Sequence, residues 1–137
     1  MAPLVALGIV AALVAGATVL GLVWRASQGR IRRVRSHAVA IEGVELGTTV
    51  TLLQFSSEYC APCRSTARVL EEFADAPRVA HVELDVAERP ELAARFGILQ
   101  TPTTLVLDDT GRIRARIGGA VRRDLLSAEL AKLTVAA

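Results

Sequence analysis

The stretch SSEYCAPCRS, Ser56 to Ser65, holds both cysteines of the chain, Cys60 and Cys63, with two residues between them. Immediately before it, TTVTLLQF (Thr48 to Phe55) is β-branched and apolar, bounded by Gly47 and by Ser56–Ser57, the pattern of a strand buried on both faces. Immediately after it, Val69, Leu70 and Phe73 recur at helical spacing within residues 60–76. The cysteines therefore fall where a strand ends and a helix begins. A helix N-terminus presents unpaired N–H groups and a positive dipole end, which favours a thiolate over a thiol. Pro62 is acceptable in that first turn, where its missing N–H is not needed. Cys63 lies on the same face and can reach Cys60, so the pair offers one exposed, activated sulfur and one inner sulfur able to resolve a mixed disulfide.

Working outward, RVAHVELDV (Arg78 to Val86) reads as a second strand and ERPELAARFG (Glu88 to Gly97) as a short helix closed by Gly97. TTLVLDDTGRIRARIG (Thr103 to Gly118) reads as a hairpin turning at Asp109, Thr110 and Gly111. AVRRDLLSAELAKL (Ala120 to Leu133) is a final amphipathic helix with Leu125, Leu126, Leu130 and Leu133 on one face. Strand–helix–strand units imply a parallel pair and the hairpin adds antiparallel neighbours, an α/β class with a mixed sheet flanked by helices. Ser36 to Gly47 alternates only weakly and is expected to be a linker or a short edge strand.

Two blander readings compete for the cysteines. A structural disulfide between residues this close would restrain little of the unfolded chain. A zinc site usually takes four ligands, and beyond the cysteines only His37 and His81 are present, without ligand spacing. Redox chemistry is the reading that the position of the pair favours, with no metal.

The chain of 137 residues has room for one domain and an anchoring piece. Ala2 to Trp24 contains no charged side chain; at about 1.5 Å per residue a helix of that length crosses a hydrocarbon core of roughly 30 Å. No Lys or Arg precedes the run, and it is longer than a signal-peptide core, so residues 2–24 are expected to be a permanent span, with Trp24 as an interfacial anchor. Arg25, Arg30, Arg32, Arg33 and Arg35 come next without an acid between them. All fourteen acids lie beyond that cluster, against eleven basic residues there, so the soluble part carries three net negative charges. The basic balance of the chain thus reports a membrane-flanking collar, and no nucleic-acid partner is expected. Basic flanks tend to stay in the cytoplasm, which places the soluble domain there; the extracytoplasmic side is the alternative. The chain thus divides into three regions: 1–24 transmembrane, 25–47 a basic juxtamembrane linker with a possible edge strand, and 48–137 the folded domain.

From LLQFSSEYCAPCRSTARVLEEFA through VELDVAERPELAARFGILQTPTTLVLDDTGRIRARIGG, the chain resembles the thioredoxin family over roughly residues 48–134. The shared features are Cys-x-Pro-Cys at the strand–helix junction, FGILQTPTTLVL with Thr101–Pro102, the hairpin turn at Gly111, and Gly118 before the last helix. The resemblance implies a thioredoxin fold, with Cys60 as attacking thiolate and Cys63 as resolving thiol. It also implies a cis Thr101–Pro102 peptide facing the disulfide, where the Thr101 backbone pairs with substrate. The chain departs from the family in having Tyr59 where a tryptophan is usual and Ala61 where a glycine is usual. Gln54 stands six residues before Cys60, where cytoplasmic thioredoxins carry a buried aspartate, and His81 aligns with the lysine paired to it. Gln54 cannot titrate, which leaves water, Glu58 or His81 to handle the proton of the inner cysteine.

The resemblance and the apolar run together imply a membrane-tethered thiol–disulfide oxidoreductase with no cofactor beyond its redox-active disulfide. Pro62 keeps the dipeptide pattern of reducing family members and no histidine stabilises the thiolate, so reduction of disulfides is favoured over oxidation of thiols. The expected partners are disulfide-containing proteins or small disulfides, a thiol-reducing donor protein, and the membrane. The alternative is an adaptor that uses the fold as a membrane-attached binding module or thiol switch.

Overall fold

The computed structural model describes residues 2–34, 41–74 and 78–135, apart from the side chains of Ala2, Thr134 and Val135. The central strand forms where the apolar β-branched run demanded one. Strand β2 (Val50–Ser56) is buried at all seven positions. It pairs in parallel with β3 (Val79–Asp85) and antiparallel with β4 (Thr103–Asp108), and β4 turns into β5 (Ile113–Gly118). A short strand, β1 (Ile31–Arg33), pairs antiparallel with β5, giving the sheet order β1-β5-β4-β2-β3. Helix α2 (Ala61–Phe73) joins β2 to β3, α3 (Pro90–Arg95) joins β3 to β4, and α4 (Arg123–Val135) follows β5.

Strand alternation divides the interior into two layers. Val50, Leu52, Val106, Ala115 and Ile117 pack with Leu70 of α2 and Leu126 and Leu130 of α4. Leu53, Phe55, Leu105 and Leu107 point the other way and pack with Leu92 of α3 and with Ile41. A register shift between Val106 and Leu107 turns Ile113 into this second layer, while Ala115 and Ile117 stay in the first. The turn between β4 and β5 is held by Asp108, whose carboxylate accepts from the Thr110 N–H at 3.0 Å, the Thr110 hydroxyl at 2.6 Å and the Arg112 N–H at 2.9 Å. Partial burial works against its charge, but those bonds and nearby Arg114 prevail and hold the carboxyl below its ordinary range.

The edge strand arises inside the arginine collar of residues 25–47, ahead of the 36–47 stretch where the sequence points to a linker or a short edge strand. Of the residues beyond it, 41–47 form turns and coil, while His37 and Arg35 lie outside the described residues. Ile31 supplies the reason for β1: it packs against the first layer, and the arginines on either side point to solvent or to acids. Arg33 pairs with the buried Glu129 of α4 at 3.4 Å, and Lys132 approaches the other oxygen of that carboxylate at 3.3 Å.

Helix α1 (Ala2–Ser27) precedes β1, and no residue of its most apolar stretch is buried. Two residues after the helix ends, the Gly29 N–H donates to the Gly118 carbonyl at 2.8 Å. Gly29 has φ +70°, and a Cβ there would stand 2.7 Å from the Ala120 carbonyl oxygen, so only glycine permits both the bend and the approach. Gly29→Val is therefore expected to release β1. Hydrogen exchange of the full chain checks this: amides of β1 and its partners on β5 lose protection, while β2 and β3 keep theirs.

Candidate active site

Cys60 is the N-cap residue of α2, with extended backbone, and Pro62 stands in the first turn, as its missing N–H allows. The Cys60 N–H donates to the Ser57 carbonyl at 3.0 Å, and the Cys63 N–H to the Cys60 carbonyl at 3.1 Å. This tight turn carries the chain from β2 into the helix. Cys60 and Cys63 are joined as a disulfide, S–S 2.07 Å. Cys60 is less exposed than the sequence suggests: its accessibility is 9%, against 2% for Cys63. Cys60 is still the outer sulfur, because it caps the helix while Cys63 lies a turn inside, on the buried face with Thr66, Ala67 and Leu70. Tyr59 stands almost wholly in solvent at 92%, and Ala61 is exposed beside it.

The Thr101–Pro102 peptide is cis. Pro62, Thr101 and Pro102 line one cleft, and the Thr101 hydroxyl lies 3.3 Å from that of Ser57, so the loop stands beside the cysteine turn. The Gly119 N–H donates to the Pro102 carbonyl at 2.8 Å, tying this loop to the one after β5. Gly118, singled out in the sequence, abuts Gln100: a Cβ there would meet the amide nitrogen at 2.8 Å.

Beneath the disulfide lies a polar layer. Alternation along β2 turns Gln54 toward α2, where its amide N–H donates to the Cys63 carbonyl at 3.0 Å. The same nitrogen lies 3.4 Å from a Glu83 oxygen, and the Gln54 carbonyl oxygen lies 3.2 Å from Nε2 of His81. An amide oxygen can only accept, so Nε2 carries the hydrogen. Glu58, the other group considered for proton handling, is exposed on the loop. Among the described residues no three His, Cys, Asp or Glu side chains gather to hold a metal ion.

Sequence reasoning did not find Arg116. From β5 its guanidinium donates to the Phe96 carbonyl at 2.7 Å and the Gly97 carbonyl at 2.6 Å. It thereby satisfies carbonyls at the end of α3 and fixes the start of the Thr101–Pro102 loop. Its only sequence signal was an arginine in an alternating strand, which reads as solvated.

The thioredoxin family model matches residues 41–132. The chain belongs to the thioredoxin family. It is 40% identical to a thioredoxin of Alicyclobacillus acidocaldarius over 87 residues, 62% of this chain and 82% of that one. A thioredoxin of Bacillus subtilis is 34% identical over 76 residues, 54% of this chain and 73% of its own. Among solved structures, a mutant thioredoxin from Halobacterium salinarum superposes with TM-score 0.57 at 26% identity, covering 64% of this chain and 76% of that one. Like the family, this chain is a thiol–disulfide oxidoreductase whose redox group is its own disulfide.

Two measurements probe the polar layer. Thr104, the β4 partner of Gln54, is fully buried, and its hydroxyl is the one buried side-chain oxygen without a hydrogen bond among the described residues. Thr104→Val keeps the shape and removes the unmade bond, so it is expected to raise the unfolding free energy by about 1 kcal/mol in denaturant titration. His81 is shifted down by burial, against the opposing pull of Glu83 and Glu71. The folded chain then binds fewer protons than the unfolded chain as pH falls below about 6.5, so stability declines there. His81→Gln is expected to remove that decline from a plot of Tm against pH, and an unchanged slope would refute it.

Proposed function

We propose that this thioredoxin reduces protein disulfides from a membrane anchor. Cys60 acts as the attacking thiolate and Cys63 as the resolving thiol. The observation that carries the roles is the placement of the pair: Cys60 caps α2, and Cys63 sits one turn inside the same helix. In the reduced protein the Cys60 thiolate, favoured by the helix N-terminus, attacks one substrate sulfur. The S–S bond of the substrate breaks, one substrate thiolate leaves and takes up a proton, and a Cys60–substrate disulfide forms. Cys63 then loses its proton and attacks Cys60, which releases the second substrate thiolate. Two electrons have passed to the substrate and the Cys60–Cys63 disulfide remains, to be reduced again by a dithiol donor protein.

Thr101 and Pro102 supply the surface against which the substrate backbone lies, with Tyr59 as an exposed ring at its edge. Ala61 and Pro62 shape the loop between the cysteines. Gln54 is a positioning residue that holds the Cys63 carbonyl; it has no proton to give at neutral pH. The absence of a charged group in the Cys60–Cys63 dipeptide favours a reducing couple over an oxidising one.

Residues 2–24 serve as a single span, supported by the length and apolar surface of α1. The arginines from Arg25 to Arg35 favour a cytoplasmic domain, residues 48–137, with 25–47 joining it to the span. A reporter fused after Ala137 that is active only on the exported side would reverse that orientation.

Insulin reduction with a thiol donor tests the chemistry. Cys60→Ser is expected to abolish turnover, and Cys63→Ser to accumulate mixed disulfides on Cys60. Equal slow rates for the unmodified chain and Cys60→Ser would point to the adaptor reading instead.

A further inference from the structure

The connection between α1 and the sheet leaves no slack. The helix ends at Ser27, the Gly29 N–H is already bonded to the Gly118 carbonyl at 2.8 Å, and β1 then pairs along β5 from Ile31↔Ile117 to Arg33↔Ala115. The Val34 N–H continues the ladder to the Arg114 carbonyl at 3.1 Å. One residue beyond Gly118, the Gly119 N–H holds the Pro102 carbonyl at 2.8 Å. Two backbone hydrogen bonds thus run from the exit of the apolar helix to the loop beside the disulfide.

Between these parts lies a cleft of about 890 Å³. Gly21, Trp24 and Arg25 of α1 form one wall, and Pro62, Thr101 and Pro102 of the redox site form the other. The volume suits a peptide segment. Trp24 is mostly exposed, unpacked by the domain, and sits where a span meets water. Gly21 lies a turn deeper in the apolar run, so with α1 as a span the bilayer surface would form the floor of the cleft. Cys60 does not itself line the cleft, but Pro62 of the same turn does, so a disulfide whose flanking segment lies along that surface is brought beside the cysteine pair.

We propose that the preferred substrates are disulfides in membrane-embedded proteins, placed at the bilayer surface next to a span, with the flanking segment held between Trp24 and the Thr101–Pro102 loop. This rests on the oxidoreductase and single-span readings above, and it names their substrate class. The electron transfer is the one already written, two electrons from the Cys60–Cys63 dithiol to the substrate disulfide.

The test uses the full chain, pre-reduced, in phosphatidylcholine vesicles. One substrate is a single-span peptide with a disulfide directly beside its span, on the side of the domain. A second carries the same disulfide beyond a flexible Gly/Ser spacer of about twenty residues, roughly 25 Å of mean reach. Insulin is the aqueous reference. The near disulfide is expected to be reduced about tenfold faster than the distant one, as its effective concentration in the cleft is higher. A Gly/Ser insertion of about twenty residues between Ser27 and Gln28 leaves the sheet and its Gly29 bond intact but frees the domain from the helix. That variant is expected to lose the preference and to keep its insulin rate. Equal rates in the unmodified chain, faster reduction of the distant disulfide, or a preference that survives the insertion overturns the proposal. Failure to float with vesicles overturns the single-span reading, and failure on insulin overturns the oxidoreductase reading; either takes the proposal with it, and the two are read separately.

Discussion

Strand β2 is confined on every side, and the redox site inherits its geometry from that confinement. Its neighbours β3 and β4 take up both edges, and the two apolar layers close both faces. Each fully buried Leu or Phe contributes about 1.5–3 kcal/mol of transfer free energy, whereas a typical hydrogen bond nets about 1 kcal/mol. Packing therefore sets where β2 lies, and the hydrogen bonds around the disulfide adjust to it. Because the strand cannot slip by one residue without turning Leu53 and Phe55 into the wrong layer, Gln54 has to face α2. The chain leaves the sheet at Ser56, and the turn after it delivers Cys60 to the start of a helix.

The polar layer shows what the fold tolerates beneath a disulfide. An amide at position 54 can be buried once it is hydrogen-bonded, while a lone carboxylate there would need a counter-charge or a proton. Gln54 meets that condition through the Cys63 carbonyl and His81, and burial shifts His81 toward its neutral form. The two departures from the family at Gln54 and His81 are thus one change made twice. The surroundings of the inner cysteine are held by the Gln54 amide, which meets the Cys63 carbonyl, His81 and Glu83, and no carboxylate at position 54 has to change charge during exchange.

Much of this was legible in advance because local signals agreed with tertiary ones. The run Thr48 to Phe55, the proline in the first turn of α2, and the leucines of α4 all pointed to elements that formed within a few residues of their expected ends. The cysteine pair was legible for the same reason, as punctuation between periodic segments, whereas Thr101–Pro102 was marked only by the resemblance to the family. What was hidden depends on partners far along the chain. Ile31–Arg33 looks like a solvated cluster, since one isoleucine among arginines gives no period; only the free edge of β5 and the buried Glu129 make it a strand. Arg116 is concealed likewise, because the carbonyls it satisfies belong to a helix end twenty residues earlier.

That hidden strand alters what the proposed anchor would mean. A span followed by a flexible linker would let the domain sample a wide volume and meet disulfides in solution and at the surface alike. Here the residues that follow α1 are spent on sheet pairing, and Arg32 and Arg33 form the edge of the domain. With α1 as the proposed span, the reach of the site would be set by the cleft between Trp24 and Pro102, not by chain length. Such an arrangement would forgo access to distant substrates and raise the effective concentration of those beside a membrane. Gly29 makes this possible: only a residue without a Cβ can turn the chain from helix to strand while touching the loop that holds Pro102.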